Sequence, residues 1–334
     1  MYPKHGAYQA ISATEKKALT QAIGRQTGAE WKRMERFSRW GQGLETAVYT
    51  IQGAEFVFVP GDAVTLGWNG FPSELDEAAQ SLKSALMEDV QEYWCGELTL
   101  EEMLAALTTP ARQVEIPPML VERRPRPVED GQPVPLEELE RDERVRSSLE
   151  AFRRNPRSRQ LVMDMFELGH PKLRFSKERD GTISAEIVTP MTVEDLQARL
   201  AGEGFTLPDA DQWEYLCSGG SQALFAWGNS LRFCGGKGWK QQPNFFGLTI
   251  AFDPYKQEIV WDSGCWYRGG DGGAMECYGS LRILNDFVCS PHFCGSWDQN
   301  ALEDLRLEGL SRDYDCYRRV LVLPETEESS SIFM

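Results

Sequence analysis

Between Thr206 and Asn229 the chain runs TLPDADQWEYLCSGGSQALFAWGN, the stretch that restricts the fold most tightly. Leu207-Pro208 disfavours helix on its N-terminal side. Asp209 can accept from the free amides of a helix whose third residue, Gln212, reaches back to it. The spacing therefore predicts a short helix, roughly two turns long. Trp213, Leu216 and Cys217 fall on one apolar stripe of that helix, and Ser218-Gly219-Gly220 supplies a left-handed stop. Phe225-Ala226-Trp227-Gly228-Asn229 then sets two rings two residues apart ahead of a turn. As local structure this is a core helix followed by a buried loop.

The same residues carry a resemblance. Leu207-Pro208, Trp213-Glu214-Tyr215, Gly219-Gly220 and Phe225-Ala226-Trp227-Gly228-Asn229 resemble, in order, the central signature of the formylglycine-generating enzyme family, also called sulfatase-modifying factors. Membership would imply an α+β class chain with an irregular, C-type-lectin-like domain. Phe56-Val57-Phe58-Val59-Pro60-Gly61 with Val64-Thr65-Leu66-Gly67 is similar to the family's opening motif, although Asp62 replaces its second glycine. Thr109 to Arg123 looks like its next strand pair. Pro243-Asn244-Phe245-Phe246-Gly247-Leu248 resembles Pro-Asn-x-Phe-Gly-Leu, and Asp315-Cys316-Tyr317-Arg318-Arg319 the closing Gly-Phe-Arg strand. Gln257 to Asp262 stands where the family has Gly-Asn-Val-Trp-Glu-Trp. Loss of the Gly-Asn pair argues against the family's calcium, because hard cations need several well-placed oxygens. The resemblance covers residues 46–70, 109–124 and 190–324.

The remaining segments are read from pattern. Residues 1–45 are expected to be a helical lead-in: Ser12-Ala13-Thr14-Glu15 is a capping box, and a second, basic-aromatic helix spans Trp31 to Trp40. Residues 46–324 form the main domain, opening on a hairpin with a Gln52-Gly53 turn. Two helical insertions interrupt it, at about 73–107 and 136–160. In the first, Ala79, Leu82, Leu86 and Val90 keep helical spacing and Thr99 to Glu102 caps a second helix. In the second, Val145, Leu149 and Phe152 mark an amphipathic helix. Pro125 to Pro135 holds four prolines and reads as an extended linker. Strands are expected over 160–189, with an Asp180-Gly181 turn, and helix resumes at Thr192-Val193-Glu194-Asp195. Residues 325–334 make an acidic tail without core-forming pattern.

Charge bounds the partners. Lys and Arg number 35 against 51 Asp and Glu, for a net charge of −16. That balance repels phosphate backbones and anionic lipid heads, so neither nucleic acid nor membrane is an expected partner. No signal-peptide core and no membrane-spanning run occurs, which points to a cytoplasmic chain. Gly235-Gly236-Lys237-Gly238 lacks the preceding strand and the Lys-Ser/Thr order of a phosphate loop.

Seven of the eight cysteines follow residue 216. Catalytic members of the resembled family use a Cys-x-x-x-x-Cys pair to hold copper(I), after an Arg-Gly-Gly-Ser-like strand, and oxidise a substrate cysteine to formylglycine. Two thiolates suit a soft monovalent ion. Two registers compete. One places Arg268-Gly269-Gly270-Asp271 on that strand and leaves Cys277 without a partner. The other, which we favour from spacing, places Arg282 to Val288 there and delivers Cys289 and Cys294. In that register Asn285-Asp286 replaces Gly-Gly-Ser, and Gly295-Ser296-Trp297 replaces the arginines that usually follow the second cysteine. Structural signatures persist while site-lining ones change. The leading expectation is therefore a non-catalytic member that binds a protein or small ligand on its loop-rich face, with Asp286, His292 and Trp297 as ligand-face candidates. The alternative is a copper-dependent oxidase working through Cys289 and Cys294.

Overall fold

The computed structural model describes residues 2–94, 97–128, 131–165, 171–189, 191–235, 240–262, 267–277, 283–294 and 309–324. Helices and strands are mixed, in the α+β class. The chain divides into two compact units, one of Met1–Pro127, Val193–Glu303 and Asp313–Met334, the other of Val128–Thr192 and Asp304–Arg312.

The larger unit is organised by a five-stranded antiparallel sheet in the order Glu30–Arg39, Gln42–Ile51, Ala54–Val59, Met119–Glu122, Val320–Val322. Val48, Tyr49, Phe56, Val57 and Phe58 are completely buried in it. The Gln52-Gly53 turn forms as expected, both residues at positive φ. The expected helix over Trp31 to Trp40 does not form, because this segment is the first strand. It pairs from Glu30↔Thr50 to Arg39↔Gln42, with an irregularity between Trp31 and Arg33 that disguises the strand alternation. Helix does form in the first part of the lead-in, at His5–Ala10 and at the capped Ala13–Thr27, where Ser12 and Glu15 exchange both bonds of the box.

Helices Glu77–Trp94 and Leu100–Leu107 occupy the first insertion, the second carrying the Thr99 and Glu102 box. Ala210–Ser218 is the helix foreseen in the opening stretch. Asp209 and Gln212 exchange the capping bonds, and Gly219 ends it at φ +62°. A second sheet runs in the order Tyr267–Arg268, Gln257–Ile259, Asp315–Tyr317, Arg126–Pro127. The favoured cysteine register needs a strand over 282–288, but Ile283–Phe287 is helical. Asp89 Oδ2 accepts from the Ile283 amide at 2.9 Å, satisfying a free donor at that helix start. In the other register a short strand does form, at Tyr267–Arg268.

In the smaller unit, helices Leu136–Leu139 and Glu143–Arg154 accompany a four-stranded antiparallel sheet, ordered Gly131–Pro133, Ile183–Val188, Lys172–Lys177, Gln160–Asp164. Val145, Leu149 and Phe152 pack on Leu173, Phe175 and Ala185. Segment 136–160 is thus half of a separate core rather than a helical insertion into one domain. The proline-rich stretch is no free linker either. Pro127 pairs opposite Cys316 and Pro133 opposite Glu186, both on edge strands, where a missing N–H costs no ladder bond. No helix among the described residues is long and apolar enough to cross a membrane. The tail at 325–334 lies outside the described residues.

Candidate functional site

The helix Ala210–Ser218 delivers Glu214 to the interior of the larger unit, where it is wholly buried. Its Oε1 accepts from the Gly67 amide at 2.6 Å and lies 2.7 Å from His292 Nδ1. Its Oε2 accepts from Arg112 Nη2 at 2.9 Å and Thr109 Oγ1 at 3.0 Å. Burial alone would raise this carboxyl, but His292, Arg112 and Arg268 hold it down at about 2. The other imidazole nitrogen, Nε2, sits 3.0 Å from the Ala223 carbonyl. Both ring nitrogens thus face oxygen atoms of the interior. Gly67 belongs to the network by shape as well as by its amide. Its φ is +95°, and a Cβ there would meet the Pro110 carbonyl oxygen at 2.1 Å.

His292 is therefore an interior tie rather than part of a ligand face, since its side chain is 0% exposed. Asp286 is also interior, at 4%. Its Oδ1 pairs with Lys240 Nζ at 2.7 Å, and its Oδ2 accepts from the Gly235 amide at 2.6 Å. Trp297 lies outside the described residues. Both described ligand-face candidates are thus withdrawn from the surface, each with its polar atoms matched by partners in the interior.

Cys289 lies beside the Lys240 and Asp286 pair. Lys240 Nζ donates to its Sγ at 3.9 Å, and its own amide donates to the Asp286 carbonyl at 3.0 Å. The thiol is 3% exposed, and burial pushes it up to about 12 although Lys240 draws it the other way. Cys294 is half-buried, and its amide donates to Leu107 O at 2.8 Å. This donor set fits copper(I) poorly. Burial stabilises the Cys289 thiol over the thiolate a metal needs, and an ammonium already stands against the sulfur. In the segment compared with the family's calcium motif, Glu258 is committed to Arg318 at 2.7 Å, which leaves it unsuited to a cation. No group of three or more His, Cys, Asp or Glu among the described residues could hold a metal ion.

An open groove lies elsewhere on the larger unit, at the tip of the hairpin joining Glu30–Arg39 to Gln42–Ile51. It encloses about 870 Å³ and is lined by His5, Gln9, Arg36, Arg39, Trp40 and Asp62, among others. Arg39 donates to the Gln242 carbonyl at 2.8 Å and lies 4.5 Å over the Trp40 ring. Trp40 occupies the turn at φ +51°, an uncommon conformation for a bulky residue. Arg36 is exposed and pairs with no carboxylate among the described residues. Sequence reading missed this groove because it assigned the hairpin to a helix. The one available signal was Trp40-Gly41-Gln42-Gly43, a glycine-bearing turn between two polar runs.

No family model and no curated protein matches the chain.

Proposed function

We propose that the chain is a formylglycine-generating-enzyme-like protein that binds a ligand and does not oxidise cysteine. The observation that carries this reading is the contrast in access: Cys289 is sealed against an ammonium, while the hairpin-tip groove is open. The family resemblance is supported by the second sheet. There the segment compared with the Val-Trp motif lies between the Arg268 strand and the closing Asp315–Tyr317 strand, and Arg318 is locked to Glu258. Two guanidinium groups against one carboxylate on the groove wall suit an anionic ligand, a carboxylate-rich peptide or a small polyacid. The groove would draw such a ligand locally despite the net charge of −16.

The test has two arms. Reduced protein titrated with copper(I), then given a Cys-x-Pro-x-Arg peptide and oxygen, should neither take up the metal tightly nor form aldehyde. Tight uptake lost in Cys289→Ser, together with peptide oxidation, would replace this reading with the copper-dependent oxidase. Citrate and an oligoglutamate peptide should each raise the melting temperature of the wild type and leave Arg36→Ala and Arg39→Ala unmoved. No shift in the wild type refutes the groove assignment.

A further inference from the structure

Nothing in the proposed binding role uses the buried triad of Lys240, Asp286 and Cys289. The three side chains are 8%, 4% and 3% exposed, and the ammonium touches both other groups, at 2.7 Å from Asp286 Oδ1 and 3.9 Å from Cys289 Sγ. A nucleophilic nitrogen, a sulfur and a base thus share one dry site.

The geometry points to an oxidation-dependent covalent bridge between Cys289 and Lys240. Hydrogen peroxide, small enough to enter a packed interior during local opening, is the oxidant. In the first step local opening admits water and lets Cys289 ionise; the thiolate attacks peroxide, the O–O bond breaks, Sγ–OH forms, and the departing hydroxide takes up the thiol proton as water, two electrons having passed from sulfur to peroxide. In the second, the Nζ lone pair attacks sulfur, an S–N bond forms and the S–O bond breaks. The departing hydroxide takes one ammonium proton and leaves as water. Asp286 takes another, and the third stays on the bridging nitrogen. Two equivalents of an external thiol reverse the reaction by forming their own disulfide and restoring thiol and amine.

Three features favour this course over the usual fates of a sulfenic acid. Asp286 Oδ1 lies 2.7 Å from Nζ, in hydrogen-bond reach of the proton whose transfer frees the lone pair. The amine needed for attack is therefore accessible at the site itself. The four-carbon stem of Lys240 lets Nζ close the remaining distance by torsion alone. Burial of Cys289 also limits the second peroxide encounter that would carry sulfur to sulfinic acid. Cys234, the thiol near Asp286, has its Sγ 4.0 Å from the Ser230 carbonyl.

The experiment uses the reduced full chain treated with hydrogen peroxide, alkylated in denaturant, cleaved by a protease specific for acidic residues and read by mass spectrometry. The expected product is a linked peptide pair containing residues 240 and 289, lighter than the sum of its parts by two hydrogen atoms. It should be released by dithiothreitol, and Cys289 should lose most of its alkylation. Lys240→Arg, which keeps the cation beside Asp286, should give no linked pair. Cys289 found instead in a disulfide with Cys217 or Cys234, carried to sulfinic acid, or still fully alkylated would overturn the proposal. The wild-type product decides the question by itself, whether or not the variant folds.

Discussion

Two buried charged clusters lie in the same unit, and they are built to opposite ends. Around Glu214, four groups from three separate segments occupy both carboxylate oxygens, and the carboxyl is held at about 2. Around Asp286 a single ammonium is shared between a carboxylate and a thiol, and burial pushes that thiol up to about 12. A carboxylate with every lone pair occupied has nothing left to react and serves to tie segments together. A thiol touched by an ammonium that an adjacent carboxylate can relieve of a proton retains chemistry. Burial of charge therefore says little about function until the partners are counted.

The contrast can be broken most forcefully at Glu214. Glu214→Ala leaves His292 and Arg112 without their shared carboxylate, and breaking such a buried pair costs about 3–5 kcal/mol, measurable as a fall in the urea midpoint. The two clusters should also fail at opposite ends of the pH scale. Glu214 is depressed in the folded state, so its stabilisation is complete above about pH 4.5 and is lost as pH falls toward 2, a loss of about 3 kcal/mol. Cys289 is raised, so its contribution is complete below about pH 9 and is lost as pH climbs toward 12, by about 4 kcal/mol. Unfolding free energies across pH should show the alkaline limb flattened in Cys289→Ala and the acid limb flattened in Glu214→Gln. A smaller effect tests whether Glu214 depends on its helix: Asp209→Ala removes the cap and should cost about 1 kcal/mol by thermal unfolding. Least of all, Arg36→Ala should move stability by less than about 0.5 kcal/mol while abolishing binding of the anionic probes.

Much of the local fold was legible in the sequence because its causes are local. The boxes at Ser12, Thr99 and Asp209 all form, since each depends on side chains three residues apart. The Trp31 to Trp40 segment was misread because its strand character comes from pairing with Gln42–Ile51, and an irregularity in that pairing mimics helical spacing. Ile283–Phe287 was misread as a strand for a related reason: five mostly buried residues show no clear period, and the Asp89 contact lies far away in sequence. At the candidate site, Cys289 and Asp286 could be chosen by type. Lys240 could not, because no nearby residue hints that its ammonium turns inward.

The last strand of the five-stranded sheet has a consequence for how the molecule is made. Val320–Val322 completes the sheet against Met119–Glu122, and Arg319 clasps Glu122 from 197 residues further along the chain. Contacts so distant raise the contact order and slow folding. During synthesis, Met119 to Val121 must wait, as an apolar edge unpaired on that side, until Val320–Val322 has emerged. A nascent chain stalled before Arg319 would present that edge to any other strand within reach, so aggregation of the unfinished protein is the hazard this topology carries.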